Sequence, residues 1–354
     1  MANEFLRDSI ASLMRGENYS RAEAARLLDA LLDGQATDGQ IGAALIALKL
    51  KGETVEELAG LAEGMRARAV RVNSRHRLFI DTAGTGSSCA KTFNVSTAAA
   101  FVIAGAGLPV AKHGNRAASS RCGSADVLTA LGINVSAPPE ISEQCLNEIG
   151  MCFMFAPLYH SATARVAGVR RELGVQTTFN LLGPLTNPAR APRQIIGVWD
   201  RNLVEPLART LSLLGTERAW IVHGADGLDE VTISDKTFVA EASHGDVRTF
   251  EIEPEEFGFG RKTLDDLCGG DAAENAAIIR SVLSGGRHDE ARTLVLVNAA
   301  AALHVGGVAG DLREGVRLGE QSIDSGAAQR MLEQLVTRTN ETNENSEQGV
   351  KSLP

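Results

Sequence analysis

The first 75 residues have the hydrophobic spacing of helices and no alternating strand pattern. Ser20 with Glu23 and Thr54 with Glu57 each have the spacing of a capping box, in which two side chains satisfy two backbone N–H groups at a helix start. After the second cap, apolar residues recur at helical spacing: Val55, Leu58, Ala59, Ala62 and Met65. This segment is therefore predicted to form a small all-helical domain.

Another helix is predicted in the segment TDGQIGAALIALKL, residues 37–50. It is apolar around most of its circumference, which is typical of a helix buried within its own domain or against another chain. We therefore expect the helical domain, residues 1–75, to take part in forming a homodimer.

From about residue 77 the pattern changes to short apolar runs that alternate with helical stretches. Strands are predicted in RLFID, LPVAKHG, RQIIGVW, RAWIVHG and ARTLVLVNAAAAL, and helices in STAAAFVIAGAG and NLVEPLARTLSLLG. Such alternation predicts a larger α/β domain, residues 76–339, with a mostly parallel sheet flanked by helices. Helices near residues 165–190 are candidates to complete the helical domain. The polar, non-periodic segment 340–354 is predicted to be disordered.

Charge and cysteine content narrow the class of protein. The formal charge of −9 argues against a general nucleic-acid binder, because affinity for a phosphate backbone needs an excess of Lys and Arg. Five cysteines without a C-x-x-C pair do not suit a disulfide framework or a structural zinc site. No uncharged apolar run reaches the roughly 18 residues of a membrane span. We therefore expect a cytoplasmic protein without nucleic-acid or membrane partners.

The first candidate for chemistry is the loop that follows the predicted strand RLFID. In this loop Gly84 and Gly86 precede Asn94 and Ser96, which open a predicted helix. The loop lacks the G-K-[ST] of a P-loop and the third glycine of a dinucleotide fingerprint. Backbone N–H groups at a helix start, with hydroxyls beside them, form an anion site. The alternative is that Asn94 and Ser96 only cap the helix while the glycines turn the chain.

A second loop of the same type follows the next predicted strand. It contains Lys112, His113 and Arg116, several serine hydroxyls, and Asp126 in the first turn of the helix after it. A single basic loop is usually a solvent-exposed segment without a bound ligand. Two successive strand-to-helix loops of this composition suit a ligand with two separated phosphate groups.

Two further elements carry charged residues. Asp229 and Glu230 follow the predicted strand RAWIVHG. Two adjacent acidic residues are usually just exposed on the protein surface. Beside a phosphate site, however, adjacent carboxylates most often hold Mg²⁺, which also binds phosphate oxygens. Arg170 lies on a predicted helix that follows Tyr159 and His160, and its guanidinium suits a planar carboxylate bound through two parallel hydrogen bonds.

Taken in order, these motifs resemble those of the anthranilate phosphoribosyltransferase family. The resemblance extends from about Ser20 to Leu335 and rests on GTG, TFNVSTA, KHGNRAASSRCGSADVL, FAPLYH, VRRELG, TTFNLLGPLTNP and HGADGLDE. It implies the architecture shared by nucleoside phosphorylases and phosphoribosyltransferases. It also implies transfer of the phosphoribosyl group of phosphoribosyl pyrophosphate (PRPP) to the anthranilate amine, with release of pyrophosphate, as an early step of tryptophan biosynthesis.

The resemblance also implies the residues of each site. For PRPP they are Gly84, Ser87, Ser88, Thr92, Asn94, Val95, Ser96, Thr97, Lys112, His113, Gly114, Asn115, Arg116, Ala117, Ala118, Ser119, Ser120 and Ser124. For anthranilate they are Gly84, Asn115 and Arg170, with a pocket lined by His113, Tyr159, His160 and Gly183. For Mg²⁺, expected as two ions, they are Ser96, Asp229 and Glu230. No general acid or base is assigned, because the anthranilate amine is neutral at physiological pH. A general base among His113 and His160 is an alternative to a packing or hydrogen-bonding role for these two residues.

The chain departs from the family pattern in the first loop. The family usually reads G-T-G-G-D-G, whereas here Gly86 is followed by Ser87, Ser88 and Cys89. Serine can still hydrogen-bond a phosphate, but it tolerates a positive φ less well than glycine does. A smaller departure is Ser161, where a proline commonly follows the histidine of APLYH.

Two other functions are compatible with parts of this pattern. A pyrimidine nucleoside phosphorylase shares the architecture by resemblance, but it would not need the Asp229–Glu230 pair. A diverged, non-catalytic binding protein of the same fold, for example one for nucleic acid, is supported only by the altered loop. It is opposed by the net charge of −9 and by the presence of Asn115, Arg170, Asp229 and Glu230.

The altered loop generates a first prediction. The triple change Ser87→Gly, Ser88→Asp and Cys89→Gly restores the usual pattern and its conformational freedom. Steady-state kinetics should show a lower KM for PRPP or a higher kcat. A less active triple variant would mean that the serines are adapted contacts rather than a costly departure.

Overall fold

The computed structural model describes residues 4–86, 92–117 and 121–350, except for the side chains of residues 266 and 342–350. The α-helices in these ranges are α1 (Glu4–Met14), α2 (Arg21–Leu32), α3 (Asp38–Lys51), α4 (Val55–Arg68), α5 (Val95–Gly105), α6 (Ser124–Ala130), α7 (Pro139–Ile149), α8 (Ala156–Tyr159), α9 (Ala164–Leu173), α10 (Phe179–Leu185), α11 (Val204–Leu213), α12 (Ala272–Leu283), α13 (Glu290–Val305), α14 (Leu312–Asp324) and α15 (Ala327–Val350). The strands are β1 (Ile80–Gly84), β2 (Val110–Gly114), β3 (Met151–Phe155), β4 (Arg193–Gly197), β5 (Arg218–Gly224), β6 (Thr237–Ser243) and β7 (Asp246–Ile252).

The N-terminal segment forms the predicted helices α1–α4. Both predicted capping boxes are confirmed, at Ser20 for α2 and at Thr54 for α4, and a third begins α3 at Thr37. Helices α2 and α4 pack at close range, because a Cβ on Gly60 would overlap the backbone carbonyl of Arg21. The small helical domain thus begins from local capping signals and is completed by close helix packing.

Within the described part of the chain, the sheet has seven strands in the order β3-β2-β1-β4-β5-β6-β7. Strands β1–β5 are parallel, whereas β6 and β7 are antiparallel. After β1 the chain adds β2 and β3 on one side and then returns to place β4 on the other. The strand order therefore reverses between β1 and β4, and in open α/β sheets ligands bind outside the carboxyl ends of the strands at such a point.

Side chains from the sheet enter two hydrophobic cores, one on each face. Neighbouring residues alternate between them, so that Ile195 and Trp220 belong to the core with α5 and α12–α14, while Ile196 and Ile221 belong to the core shared with α1–α4. Residues of α9 and α10 also join the helical-domain core: Val166, Val169, Phe179, Leu181, Leu182 and Leu185. These contacts support the prediction that helices near residues 165–190 complete the helical domain.

One predicted strand is wrong. The run ARTLVLVNAAAAL lies in α13, whose residues are buried on nearly every side. A helix buried all round shows no amphipathic period, so an apolar run of this kind cannot be distinguished from a buried strand by its pattern. Apolar as it is, neither α13 nor any other helix in the described part of the chain is long and apolar enough to cross a membrane.

The backbone of the C-terminal segment continues as α15 to Val350, and residues 351–354 lie outside the described residues. The disorder that the sequence predicts from residue 340 stays a prediction. The segment contains no proline to end the helix before Pro354, and its backbone extends a helix whose Leu332 and Leu335 are anchored in the main core.

Candidate active site at the carboxyl edge of the sheet

The acidic pair lies where the strand order reverses. Asp229 approaches the end of β1, since a Cβ on Gly84 would be 3.5 Å from its carboxylate Oδ2. It also lies against the end of β4, because a Cβ on Gly197 would overlap its backbone carbonyl. Gly197 therefore leaves the space that the acidic loop occupies, whereas a Cβ on Gly84 would make only an ordinary van der Waals contact with it.

Lys112, in the middle of β2, is directed toward the same site and is only 2% exposed. Its ammonium donates hydrogen bonds to the carbonyl and hydroxyl oxygens of Thr82 and to the Ser96 hydroxyl, 3.2 Å away. Burial lowers the pKa of Lys112, and the carboxylates of Asp81 and Glu230 oppose this shift. The lysine is thus a buried cation with carboxylates nearby and a hydroxyl within hydrogen-bond distance.

Glu230 meets the start of α5. The backbone N–H of Ser96 donates to its Oε1 at 3.2 Å, so the carboxylate lies at the positive end of the helix. Burial, followed by the neighbouring Asp229 carboxylate, raises the pKa of Glu230 well above its usual range. The Ser96 N–H that the sequence offers to a phosphate is therefore paired with a carboxylate of the protein itself.

Asn94 joins the two loops instead of capping α5. Its side chain makes no cap hydrogen bond. The amide nitrogen donates to the carbonyl of Cys122 at 3.3 Å, and the amide oxygen accepts from Asn275 at 3.0 Å. The capping-only alternative is therefore wrong for Asn94. Asn275 itself lies on α12, about 180 residues away in sequence, where no motif marked it.

The second loop closes around Asp126. Its carboxylate accepts the N–H groups of Ala117 and Gly123, each at 2.9 Å, and forms an ion pair with Arg116 at 2.8 Å. The Arg116 guanidinium also lies over the Phe155 ring, 5.7 Å from its centroid. Arg116 is therefore engaged by the protein, and Asp126 is the residue that shapes this loop.

Two histidines lie together beside β2. The rings of His113 and His160 are 5.2 Å apart, and Nδ1 of His113 is 3.2 Å from the carbonyl of Gly183. Burial lowers the pKa of His113 to about 3 and that of His160 to about 4. Both imidazoles are therefore neutral near pH 7 and too weakly basic to act as efficient general bases.

Arg170 is held on α9 by polar and aromatic contacts. Its Nη2 donates to the Asn180 side chain at 3.0 Å, and its guanidinium lies 5.6 Å from the centroid of Phe179. Its Nε is buried without a hydrogen-bond partner. No carboxylate lies within ion-pair distance of this arginine in the described ranges, so the alternative surface pair with Glu172 is not formed. A buried guanidinium with an unused donor suits an anionic ligand.

Helix α10 connects Arg170 to the histidine pair. Asn180, which binds Arg170, and Gly183, which contacts His113, lie three residues apart on the same helix and therefore on the same face. One short helix thus connects four of the predicted acceptor residues: Arg170, His113, His160 and Gly183.

The remaining predicted residues have less defined roles. Tyr159 is 1% exposed within the main core, so its place in the pocket stays a prediction from sequence. Val95 is also a core residue, and the Thr97 hydroxyl is buried without a partner. Thr92, Gly114, Asn115 and Ser124 are partly or fully exposed at the same edge of the sheet. Five predicted residues lie outside the described residues: Ser87, Ser88, Ala118, Ser119 and Ser120.

Comparison with known proteins identifies the family. Models of the glycosyl transferase family match the chain over its helical bundle domain, residues 7–69, and its a/b domain, residues 76–329. An anthranilate phosphoribosyltransferase of Moorella thermoacetica is 52% identical over 331 residues, which is 94% of this chain and 97% of the relative. The chain belongs to the anthranilate phosphoribosyltransferase family.

Solved structures agree with this assignment. The crystal structure of anthranilate phosphoribosyltransferase from Thermus thermophilus matches with a TM-score of 0.89 and 40% identity, covering 94% of this chain and 99% of that one. The enzyme from Saccharomyces cerevisiae in complex with PRPP and Mg matches with a TM-score of 0.88 and 28% identity, covering 96% and 99%. The chain therefore transfers the phosphoribosyl group of PRPP to anthranilate in tryptophan biosynthesis, and the phosphorylase and non-catalytic alternatives are set aside.

The donor set at this edge of the sheet fits Mg²⁺. Two adjacent carboxylates and the Ser96 hydroxyl lie near the buried Lys112. Mg²⁺ typically binds one or two carboxylates and completes its shell with water and substrate phosphate oxygens. The set is therefore suited to Mg²⁺ bound together with PRPP.

The close contact at the end of β4 generates a second prediction. Gly197→Ala should displace the Asp229 backbone, because the added Cβ meets a carbonyl and not a flexible side chain. A displacement near 1 Å should lower kcat/KM for PRPP by about 100-fold.

Gly168→Ala is the matched control, because its added Cβ meets nothing within 4 Å. Both variants should show cooperative thermal unfolding, and only Gly197→Ala should lose activity. Equal activity of the two variants would contradict the importance of this contact.

Proposed function

We propose that this chain divides its reaction between two groups of residues, one for PRPP with Mg²⁺ and one for anthranilate. The cluster of Lys112, Ser96, Asp229 and Glu230 at the sheet's reversal point supports the first group. Arg170 with its unused buried donor supports the second. Helix α10 connects the second group to His113, the neighbour of Lys112 on β2.

On the PRPP side, Asp229, Glu230 and the Ser96 hydroxyl would hold Mg²⁺, and we propose two ions. Bound there, the metal supplies positive charge to the phosphate oxygens. Lys112 stabilises the negative charge that grows on pyrophosphate as its bond to the ribosyl carbon breaks. A buried ammonium is effective in this role, because it is already in place and is weakly screened.

On the acceptor side, Arg170 binds the anthranilate carboxylate and so directs the amine toward the ribosyl carbon. The amine is already a neutral nucleophile, so orientation is the main requirement. The neutral imidazoles of His113 and His160 line this pocket and do not add a repelling cation beside the sugar, which becomes positive in the transition state. No side chain is needed as a strong base.

We also propose that the protein is a cytoplasmic homodimer that associates through the helical domain. Exposed apolar side chains on this domain support the proposal: Leu50 at the end of α3 is 82% exposed, and Met14 at the end of α1 is 76% exposed.

The metal assignment generates a third prediction. The double change Asp229→Asn and Glu230→Gln removes both charges but preserves the side-chain shapes and an acceptor for the Ser96 N–H. Mg²⁺-dependent kcat should fall by at least about 100-fold, which is typical of losing a preorganised electrostatic contact. Steady-state rates measured across a Mg²⁺ titration test this.

Glu251→Ala removes an exposed carboxylate on β7 and serves as the control for loss of charge alone. It should retain the parent Mg²⁺ dependence. If the double variant keeps full activity, or if the parent enzyme works in EDTA, the assignment of the acidic pair is wrong.

The acceptor assignment generates a fourth prediction. Arg170→Ala should raise KM for anthranilate roughly 10- to 150-fold, the range for losing a charged hydrogen bond worth about 1.5–3 kcal/mol. KM for PRPP should change little. Arg170→Lys should restore only part of the affinity, because a point charge cannot form two parallel hydrogen bonds.

Arg171→Ala is the matched control, since this neighbouring arginine is exposed on the same helix. It should leave both KM values unchanged. A rise confined to KM for PRPP in Arg170→Ala would place the arginine in the other pocket.

A further inference from the structure

Asn298 is a polar residue in an otherwise apolar stretch of α13. It is 5% exposed, and its neighbours from Leu294 to Leu303 are buried apolar residues. A buried side-chain amide is costly unless its donors and acceptor are paired. Its hydrogen bonds therefore show what this position does.

Three hydrogen bonds, each 2.9 Å long, satisfy the amide. Its oxygen accepts the backbone N–H of Val231, and its nitrogen donates to the carbonyl oxygens of Val231 and Leu294. Leu294 is on the same helix, one turn earlier. The other two bonds hold both backbone polar groups of Val231, the residue directly after Glu230.

The segment around Val231 has no strand partner to do this instead. The residues between β5 and β6 form turns and bends, and the N–H of the next residue, Thr232, donates to the side chain of Thr237 at 3.0 Å. Both backbone polar groups of Val231 are therefore held by one amide from a distant helix, and the segment is bound further on through Thr232 to Thr237 and through the Ile233 carbonyl to the Lys262 N–H.

Fixing this backbone matters because two adjacent carboxylates repel each other. Asp229 lies against Gly197 on one side, and Val231 is held by Asn298 on the other. The two carboxylates between these contacts are kept at the end of the sheet, beside Ser96.

We propose that Asn298 is a positioning residue that holds the Asp229–Glu230 backbone in the geometry required for binding a divalent cation with PRPP. The proposal rests on the proposed role of the acidic pair as metal ligands. Residues that orient metal ligands from behind typically change metal affinity by about 10- to 100-fold when replaced.

The test uses the full chain with Mn²⁺ as the probe and PRPP present, and it measures free Mn²⁺ by electron paramagnetic resonance. Asn298→Ala should weaken Mn²⁺ binding at least about tenfold. It should lower kcat at a fixed metal concentration but leave KM for anthranilate unchanged, and added Mn²⁺ should restore part of the rate.

Thr293→Ala is the control on the same helix, because its buried hydroxyl donates only to the Asp289 carbonyl, away from the acidic pair. It should bind Mn²⁺ as the parent does. Asn298→Ser retains one hydroxyl and should give intermediate affinity; it replaces Asn298→Ala in the test if thermal unfolding shows that the alanine variant is not folded at the assay temperature.

The Asp229→Asn/Glu230→Gln variant is measured in parallel, so that the two hypotheses can be separated. Parent-like Mn²⁺ binding by that double variant would overturn the metal assignment itself. Loss of binding in the double variant, together with parent-like binding in the folded Asn298 variant, would overturn only the role of Asn298.

Discussion

The close approach of the acidic loop to the ends of β1 and β4 is the constraint on which the site depends. Parallel strands bring their carboxyl ends to one edge, but only a residue without a Cβ at Gly197 leaves room for the Asp229 backbone. This contact places two carboxylates beside the start of α5 and near Lys112. The strand order and the absence of a Cβ at Gly197 together assemble a charged site from three separate segments: the acidic loop, the start of α5 and β2.

Burial of this charged cluster costs free energy of hydration, and it also strengthens the electrostatic interactions of the cluster. A buried ammonium and neighbouring carboxylates have lost much of their hydration, which must be replaced by contacts with one another and with hydroxyl and backbone groups. Lys112 and Glu230 show this in the opposed directions of their pKa shifts, each toward the neutral form. Substrate phosphates and Mg²⁺ carry the charges that such a site would stabilise.

The sequence by itself determined the fold class, the capping of α2 and α4, and the identity of the charged segments. These features are local, because a capping box spans four residues and a strand-to-helix loop is recognised within about twenty residues. The ordered motifs then identified the family and its reaction. The strand predicted within α13 was wrong because complete burial removes the periodicity on which such predictions depend.

Tertiary structure decided which of these residues meet and which support them. Asn94 contacts Asn275 across about 180 residues, and Val231 is fixed by Asn298 across 67. Neither partner belongs to a motif, because an asparagine in a helix has the same local appearance whether it faces solvent or holds a distant loop. The hydrogen bond between the Ser96 N–H and Glu230 could not be predicted from the sequence either. The pattern of a helix start indicates an anion site, but it does not show whether the anion is a ligand or a carboxylate of the protein. Local sequence specifies the chemical groups, whereas packing of distant segments determines their partners.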